Sequence, residues 1–218
     1  MPSADSAPTG HAGSAIRGSV PLVWLDCEMT GLDLAADALV EVACVVTDAQ
    51  LQPLDDGLSV VVKPPQAAWE GMSDFVTAMH DNSGLLPLIN DGIALRDAED
   101  QLLAYVRQHV PEERKAPLAG SSVYVDRMFL ARDMPRFDAH LHYRIVDVSS
   151  LKELVRRWYP KVYFNAPEKT GNHRALGDVW DSIAELAYYR ETVFSPAAAG
   201  GAPDRASRAS DGSSAGTL

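Results

Sequence analysis

Three short runs rich in apolar and β-branched residues, at 22–28, 39–47 and 58–63, follow one another before any helical pattern appears. The turn-like stretch QPLDDG before the third run fits an antiparallel meander, so three adjacent strands are expected at the start of the fold. Helical spacing begins only afterwards. Leu95, Ala98, Leu102, Leu103 and Val106 form one apolar stripe over residues 95–109, and Pro111 lies just past its end. A short strand at 117–120, a helix at 123–133 and an extended segment at 143–148 come next, with Ser149 expected to cap the helix SLKELVRRWYP. The last helix, 174–192, carries Leu176, Val179, Ile183, Leu186 and Ala187 on one face. Strands first and crossing helices later predict a mixed α/β sheet packed by helices.

At 218 residues, with 46% hydrophobic and 22% charged content, the chain is long enough for one substantial domain. Residues 1–19 and 195–218 are rich in Ala, Gly, Ser and Pro and read as disordered tails, which leaves 20–194 as the folded domain. No apolar run approaches the roughly 18 residues of a membrane span, and the N-terminus lacks an apolar signal-peptide core, so a cytoplasmic protein with no membrane partner is expected. Cys27 and Cys44 sit inside apolar runs, where a free thiol behaves as a small buried hydrophobe; neither a disulfide nor a zinc site is expected. The formal net charge of −11 argues against a protein that tracks long nucleic acid, because such affinity comes mainly from many Lys and Arg contacts to phosphate. Any nucleic-acid substrate should therefore be short. The tails are nearly neutral, so the excess acid belongs to the domain, partly as a solvated surface and partly as metal-binding carboxylate.

In LVWLDCEM, strand alternation puts Trp24, Asp26 and Glu28 on one face and Val23, Leu25 and Cys27 on the other. Two acids on one side of an apolar strand repel each other and lose hydration unless a strand end solvates them or a hard divalent ion neutralises them. Alone, this D-x-E spacing fits a solvated strand end better than a catalyst. Asp126, in GSSVYVDRMFL, lies at the start of a helix, and Asp178 follows His173 by five residues in NHRALGDVWDSI. That spacing puts His173 in the loop ahead of the helix and Asp178 in its first turns, both turned toward one cluster. An imidazole titrates near neutral pH, so His173 can act as general base toward a water oriented by two metals. In isolation, Asp126 reads equally as a charge at a helix N-terminus and His173 as a loop histidine.

Together, LDCEMTGL, GSSVYVDRMFL and HRALGD resemble the three exonuclease motifs of the DEDD superfamily in its histidine-bearing subgroup. Within it, WLDCEMTGLD, SDFVTAMHDNSGL and HYRIVDVSSLKELVRRWYP are similar to segments of the oligoribonuclease family, so the resemblance covers residues 21–194. It implies a ribonuclease-H-like α/β fold, a mixed five-stranded sheet flanked by helices. It also implies two Mg2+ or Mn2+ ions held by Asp26, Glu28, Asp126 and Asp178, with His173 as base and nucleoside 5′-monophosphates as products. The implied enzyme is a 3′→5′ exoribonuclease acting on short RNA oligonucleotides and dinucleotides. It works as a homodimer with a shared active site, in which the partner's Arg144, Ser149 and Ser150 cap the 5′ phosphate and Tyr143 reaches the neighbouring site. Within one subunit Leu32 resembles the family's wedge between bases. Phe75 stands where a stacking tryptophan is usual, and His80 and Ser122 fall at substrate-facing positions. For Leu32 and Phe75 core packing is the competing reading, and for Trp69, Trp158, Tyr159 and Trp180 core or dimer packing is the expected one.

The chain departs from the family pattern at Gly177, where an acid is frequent, and in its Gly-Ser-Ser turn, where Gly-Asn-Ser is common; neither change removes an expected ligand. A related proofreading or tRNA-trimming 3′→5′ exonuclease would share these motifs but calls for basic patches. An inactive nucleic-acid-binding module of the same fold would be expected to have lost a ligand.

Overall fold

The computed structural model describes residues 20–168 and 174–194. The two segments expected as tails, and His173, lie outside the described residues. Strands β1 (Leu22–Met29), β2 (Leu39–Thr47) and β3 (Leu58–Val61) form the antiparallel meander expected from the sequence. Four helices follow: α1 (Gln66–Glu70), α2 (Asp74–Asn82), α3 (Leu86–Ile89) and α4 (Leu95–His109). Strand β4 (Pro117–Gly120) then leads through α5 (Tyr124–Asp133) and α6 (Pro135–His140) to β5 (His142–Asp147), and α7 (Val148–Trp158), α8 (Pro160–Phe164) and α9 (Ala175–Thr192) complete the described chain. The sheet order is β3-β2-β1-β4-β5. Tight connections keep the first three strands antiparallel, whereas the helical crossovers before β4 and β5 return the chain in the parallel sense beside β1. This is a mixed five-stranded α/β sheet covered by helices on both faces.

Alternation along β1 decides which helix covers which face. Val23, Leu25, Cys27 and Met29 join a core with Ala98, Leu102 and Val106 of α4 and Phe129 and Leu130 of α5. Trp24 faces the other way, against Val179, Ile183, Leu186 and Tyr189 of α9 and Val155 of α7. With both faces covered, β2 is buried at every position of LVEVACVVT, although Glu41 lies within it. Cys27 and Cys44 are free and buried, as the apolar runs around them predict.

Two local readings need correction. Helix α7 begins at Val148, and its cap is Asp147 rather than Ser149: the Asp147 carboxylate accepts the Ser149 N–H at 2.9 Å, placing Ser149 inside the first turn. Residues 64–94, where no element was expected, hold α1, α2 and α3. These are short, and Pro64, Pro65, Gly71 and Gly84 interrupt the stretch, so no long apolar stripe announces them.

Candidate active site

The acidic face of β1 meets the start of α9. One carboxylate oxygen each from Asp26, Glu28 and Asp178 lies within 4.8 Å of the others. Asp178 reaches the group because α9 starts beside β1, its own N–H bonding the Arg174 carbonyl at 3.1 Å. The fourth expected ligand, Asp126, comes from α5 and accepts the Cys27 N–H at 2.8 Å, which fastens its carboxylate to the strand between Asp26 and Glu28. Such a side-chain acceptor is needed because the pairing of β1 with β4 reaches only Trp24. Gly120 ends β4 so close to β1 that a Cβ there would lie 2.6 Å from the Leu25 carbonyl oxygen.

Gathering acids this closely changes their chemistry. Burial first, then the charges of Asp178, Glu41 and Asp126, push the Glu28 carboxyl up to about 8, with Arg174 pulling the other way. Burial raises Asp126 to about 6 against the hydrogen bonds from Cys27 and its own backbone N–H. Burial likewise pushes the Cys27 thiol up, so it is no nucleophile. An all-oxygen donor set in which protons are held this tightly fits hard divalent cations, whose charge would offset the repulsion that raises Glu28.

His80 is fully buried on α2; its Nε2 donates to the Met29 carbonyl at 2.9 Å and its Nδ1 faces Glu28 Oε2 at 3.9 Å. The histidine therefore docks α2 against the end of β1 and borders the carboxylates. The same helix carries Phe75 near its start, where it is 78% exposed, and Leu32, just past β1, is 73% exposed. That exposure removes the core-packing reading for both. Trp69 and Trp180 do pack partly against the core, while Trp158 and Tyr159 are open to solvent.

Ser122 follows β4 with φ of 54° and donates its N–H to Asp147 at 3.0 Å, while its hydroxyl bonds the Ser149 hydroxyl at 3.1 Å. The two serines expected from different subunits thus adjoin within one chain, because β4 pairs Gly120 with Asp147 of β5. Ser150 is exposed on α7, and Tyr143 and Arg144 are exposed on β5, the edge strand, with the Arg144 guanidinium 5.4 Å from the Tyr143 ring centre.

Sequence reasoning passed over Glu41. It is 1% exposed and opposite Glu28 in the strand pairing, and it accepts from Arg174 at 2.8 and 3.1 Å, from Ser59 at 2.7 Å and from the Ala175 N–H at 3.2 Å. The signal was present: a lone acid in an otherwise apolar strand needs a buried partner.

The profile of the RNase T exonuclease family matches residues 23–186. Oligoribonuclease of Streptomyces griseus is 62% identical over 175 residues, which cover 80% of this chain and 87% of that protein. The oligoribonucleases of Leifsonia xyli and Cutibacterium acnes are 60% and 54% identical over comparable spans, covering 84% and 87% of their lengths. This chain belongs to the oligoribonuclease family. It is accordingly a 3′→5′ exoribonuclease, a hydrolase of phosphodiester bonds. Among solved structures, Exonuclease I of E. coli in complex with a dT13 oligonucleotide superposes with a TM-score of 0.61 at 13% identity, over 80% of this chain and 42% of that one. Exonuclease I from Methylocaldum szegediense gives 0.55 at 18% identity, over 79% and 40%. The chain spans about two fifths of these larger nucleases, and the likeness establishes the ribonuclease-H-like fold they share.

Proposed function

We propose that this oligoribonuclease-family enzyme finishes RNA breakdown by hydrolysing very short oligoribonucleotides, dinucleotides above all, to nucleoside 5′-monophosphates. The observation that carries this reading is the carboxylate cluster of Asp26, Glu28 and Asp178, with Asp126 fastened beside it and two exposed apolar side chains, Leu32 and Phe75, on the segments bordering it. Those four acids would hold two divalent cations, Mg2+ or Mn2+, which when bound supply an activated water and stabilise charge on the leaving oxygen. His173 accepts the water's proton at an imidazole nitrogen as the water attacks phosphorus and the bond to the 3′ oxygen breaks. Leu32 separates two bases and Phe75 stacks on one, a sequence-tolerant contact worth about 1–3 kcal/mol. His80 holds α2, and with it Phe75, at the end of β1.

Length selection has two supports. The net charge of −11 offers little to a long phosphate backbone. The adjoining hydroxyls of Ser122 and Ser149 would receive a terminal 5′ phosphate, closed over by Arg144, Ser150 and Tyr143 of a second subunit. Apolar side chains left open at Tyr143 and Ile145 on the edge strand, Leu154 and Trp158 on α7 and Phe164 on α8 support a homodimer built on this face. The free, buried cysteines suit a reducing cytoplasm, and no described helix is long and apolar enough to cross a membrane. An inactive binding module is disfavoured because all four acids are retained, and a proofreading or tRNA-trimming role because the charge balance is acidic.

The test is a length series. Purified protein with Mg2+ and 5′-labelled RNAs of two to twenty nucleotides should degrade the dinucleotide fastest, with kcat/KM falling steadily as length grows. Equal or faster loss of the long strands would sink the dinucleotide reading.

A further inference from the structure

Leu32 lies in the connection between β1 and β2, and most of the polar contacts that shape this loop are internal. The Thr30 N–H bonds the Ala38 carbonyl at 2.9 Å, and the Asp37 carboxylate accepts from the Thr30 hydroxyl at 2.9 Å and the Asp33 N–H at 2.8 Å. That carboxylate lies so close over Gly31 that a Cβ there would meet it at 2.3 Å. These bonds define the loop's shape and root it at the ends of β1 and β2, and Leu34 packs partly against the core. A polar anchor from outside the loop adds to them. Arg132, on α5, donates one guanidinium nitrogen to the Leu34 carbonyl and another to the Asp37 carbonyl at 2.8 Å.

Arg132 is itself held by two neighbours, Asp133 and Phe129. Asp133 accepts from its Nε at 2.7 Å and its Nη2 at 2.6 Å, and the guanidinium stands 5.0 Å from the ring centre of Phe129, which is fully buried. Behind the loop a cavity of about 350 Å3, lined by Leu34, Asp37, Leu39, Pro64, Leu95 and Arg132, leaves space into which the loop can retreat. Leu34 packs only partly against the core beside this space, so the guanidinium strut supplements an incomplete apolar anchor. The helix that supplies the strut is also the one that carries Asp126, so one rigid element refers both the acids and the Leu32 loop to the same frame.

We propose that Arg132 is a positioning residue for substrate selection: by spanning two loop carbonyls it sets the height of Leu32 above the carboxylate cluster, and so the enzyme's affinity for a splayed pair of bases. The inference rests on reading Leu32 as the side chain that parts those bases. A planar fork is needed to reach two carbonyls at once, so lysine is an incomplete replacement.

The experiment is a kinetic double-mutant cycle on a diribonucleotide, with Arg132→Gln, Arg132→Lys, Leu32→Ala and the double variant Leu32→Ala/Arg132→Gln. Arg132→Gln should raise KM about tenfold with kcat within twofold, because the lost contact serves ground state and transition state alike, and Arg132→Lys about threefold. Leu32→Ala should raise KM to a similar extent, and adding Arg132→Gln to it should change KM by less than twofold. An equal rise in both backgrounds would overturn the proposal, since Arg132 would then act by a route other than Leu32. A fall in kcat at constant KM would overturn it too, by placing the effect on Asp126 through α5. If Leu32→Ala alone leaves KM unchanged, the reading of Leu32 fails and takes the proposal with it, whereas a damaging Leu32→Ala beside a silent Arg132→Gln refutes the strut only. Should the Gln variant fail to fold, the Lys variant in both Leu32 backgrounds gives the same comparison at smaller amplitude.

Discussion

Glu41→Gln is the perturbation with the clearest energetic consequence outside the carboxylate cluster. Burial pushes the Glu41 carboxyl up, but hydrogen bonds from Arg174, Ser59 and the Ala175 N–H, with the guanidinium charge, outweigh it and hold the group below the usual carboxylate range. The ionised form is therefore the one the fold selects. Removing one partner of a fully buried pair costs about 3–5 kcal/mol, but the Arg174 side chain keeps 31% of its exposure, so water recovers part of that loss. The glutamine oxygen can also still accept one of the former bonds. A destabilisation of about 2–3 kcal/mol is expected. The damage should reach the active site, because Arg174 precedes α9 and its carbonyl accepts the Asp178 N–H. Urea unfolding of Glu41→Gln, Arg174→Gln and the double variant measures the stability term, and the cycle should return a coupling of at least about 1 kcal/mol. Because the Glu41 pKa is depressed in the folded state, its contribution is present above the unfolded carboxylate pKa and lost as pH falls through the folded value, so the penalty should shrink in acid. A loss below about 0.5 kcal/mol, or strict additivity, would refute the clamp.

Three further outcomes are expected. Asp178→Asn should abolish turnover while circular dichroism and melting stay near those of the unaltered protein; unchanged activity would remove Asp178 from the catalytic cluster. In chelator, the raised Glu28 and Asp126 carboxyls stabilise the fold when protonated, fully below the ordinary carboxylate pKa and progressively less as pH rises toward 8, so melting should fall by roughly 5–10 °C from pH 5 to 8 and recover with Mg2+ mainly at the upper end; a flat profile would contradict the crowding of these acids. If Arg144 acts across the dimer, a confirmed heterodimer of Arg144→Ala and Asp26→Ala subunits should regain activity that neither homodimer has, and failure to do so would reject the shared site.

What could be read from the residues, and what could not, separates by range of interaction. Period-two alternation in LVWLDCEM assigned Asp26 and Glu28 to one face, and helical spacing located α4 and α9, because each is a local property of an element long enough to show its period. Helix α2 is nine residues long and amphipathic enough to be found in principle, but its neighbours are four- and five-residue helices broken by proline and glycine, so Phe75 and His80 entered through family resemblance alone. Burial of His80 against the Met29 carbonyl depends on docking across 51 residues of chain, which no local pattern encodes. Ser149 was misread as a cap because Ser is a good cap, yet Asp147 offers a charged acceptor two residues earlier and satisfies Ser122 as well. Strand register is the missing link in each case: it sets Gly120 beside Asp147, which brings Ser122 to Ser149, and Glu28 opposite Glu41, which adds a fifth carboxylate to the region. Arg174 lies 133 residues from Glu41, and its charge is engaged chiefly there. Neutralising Glu41 from within the chain relieves the crowding at Glu28 only in part, through the Arg174 charge, and what remains is the condition a divalent cation can meet and a buried structural ion pair would have removed.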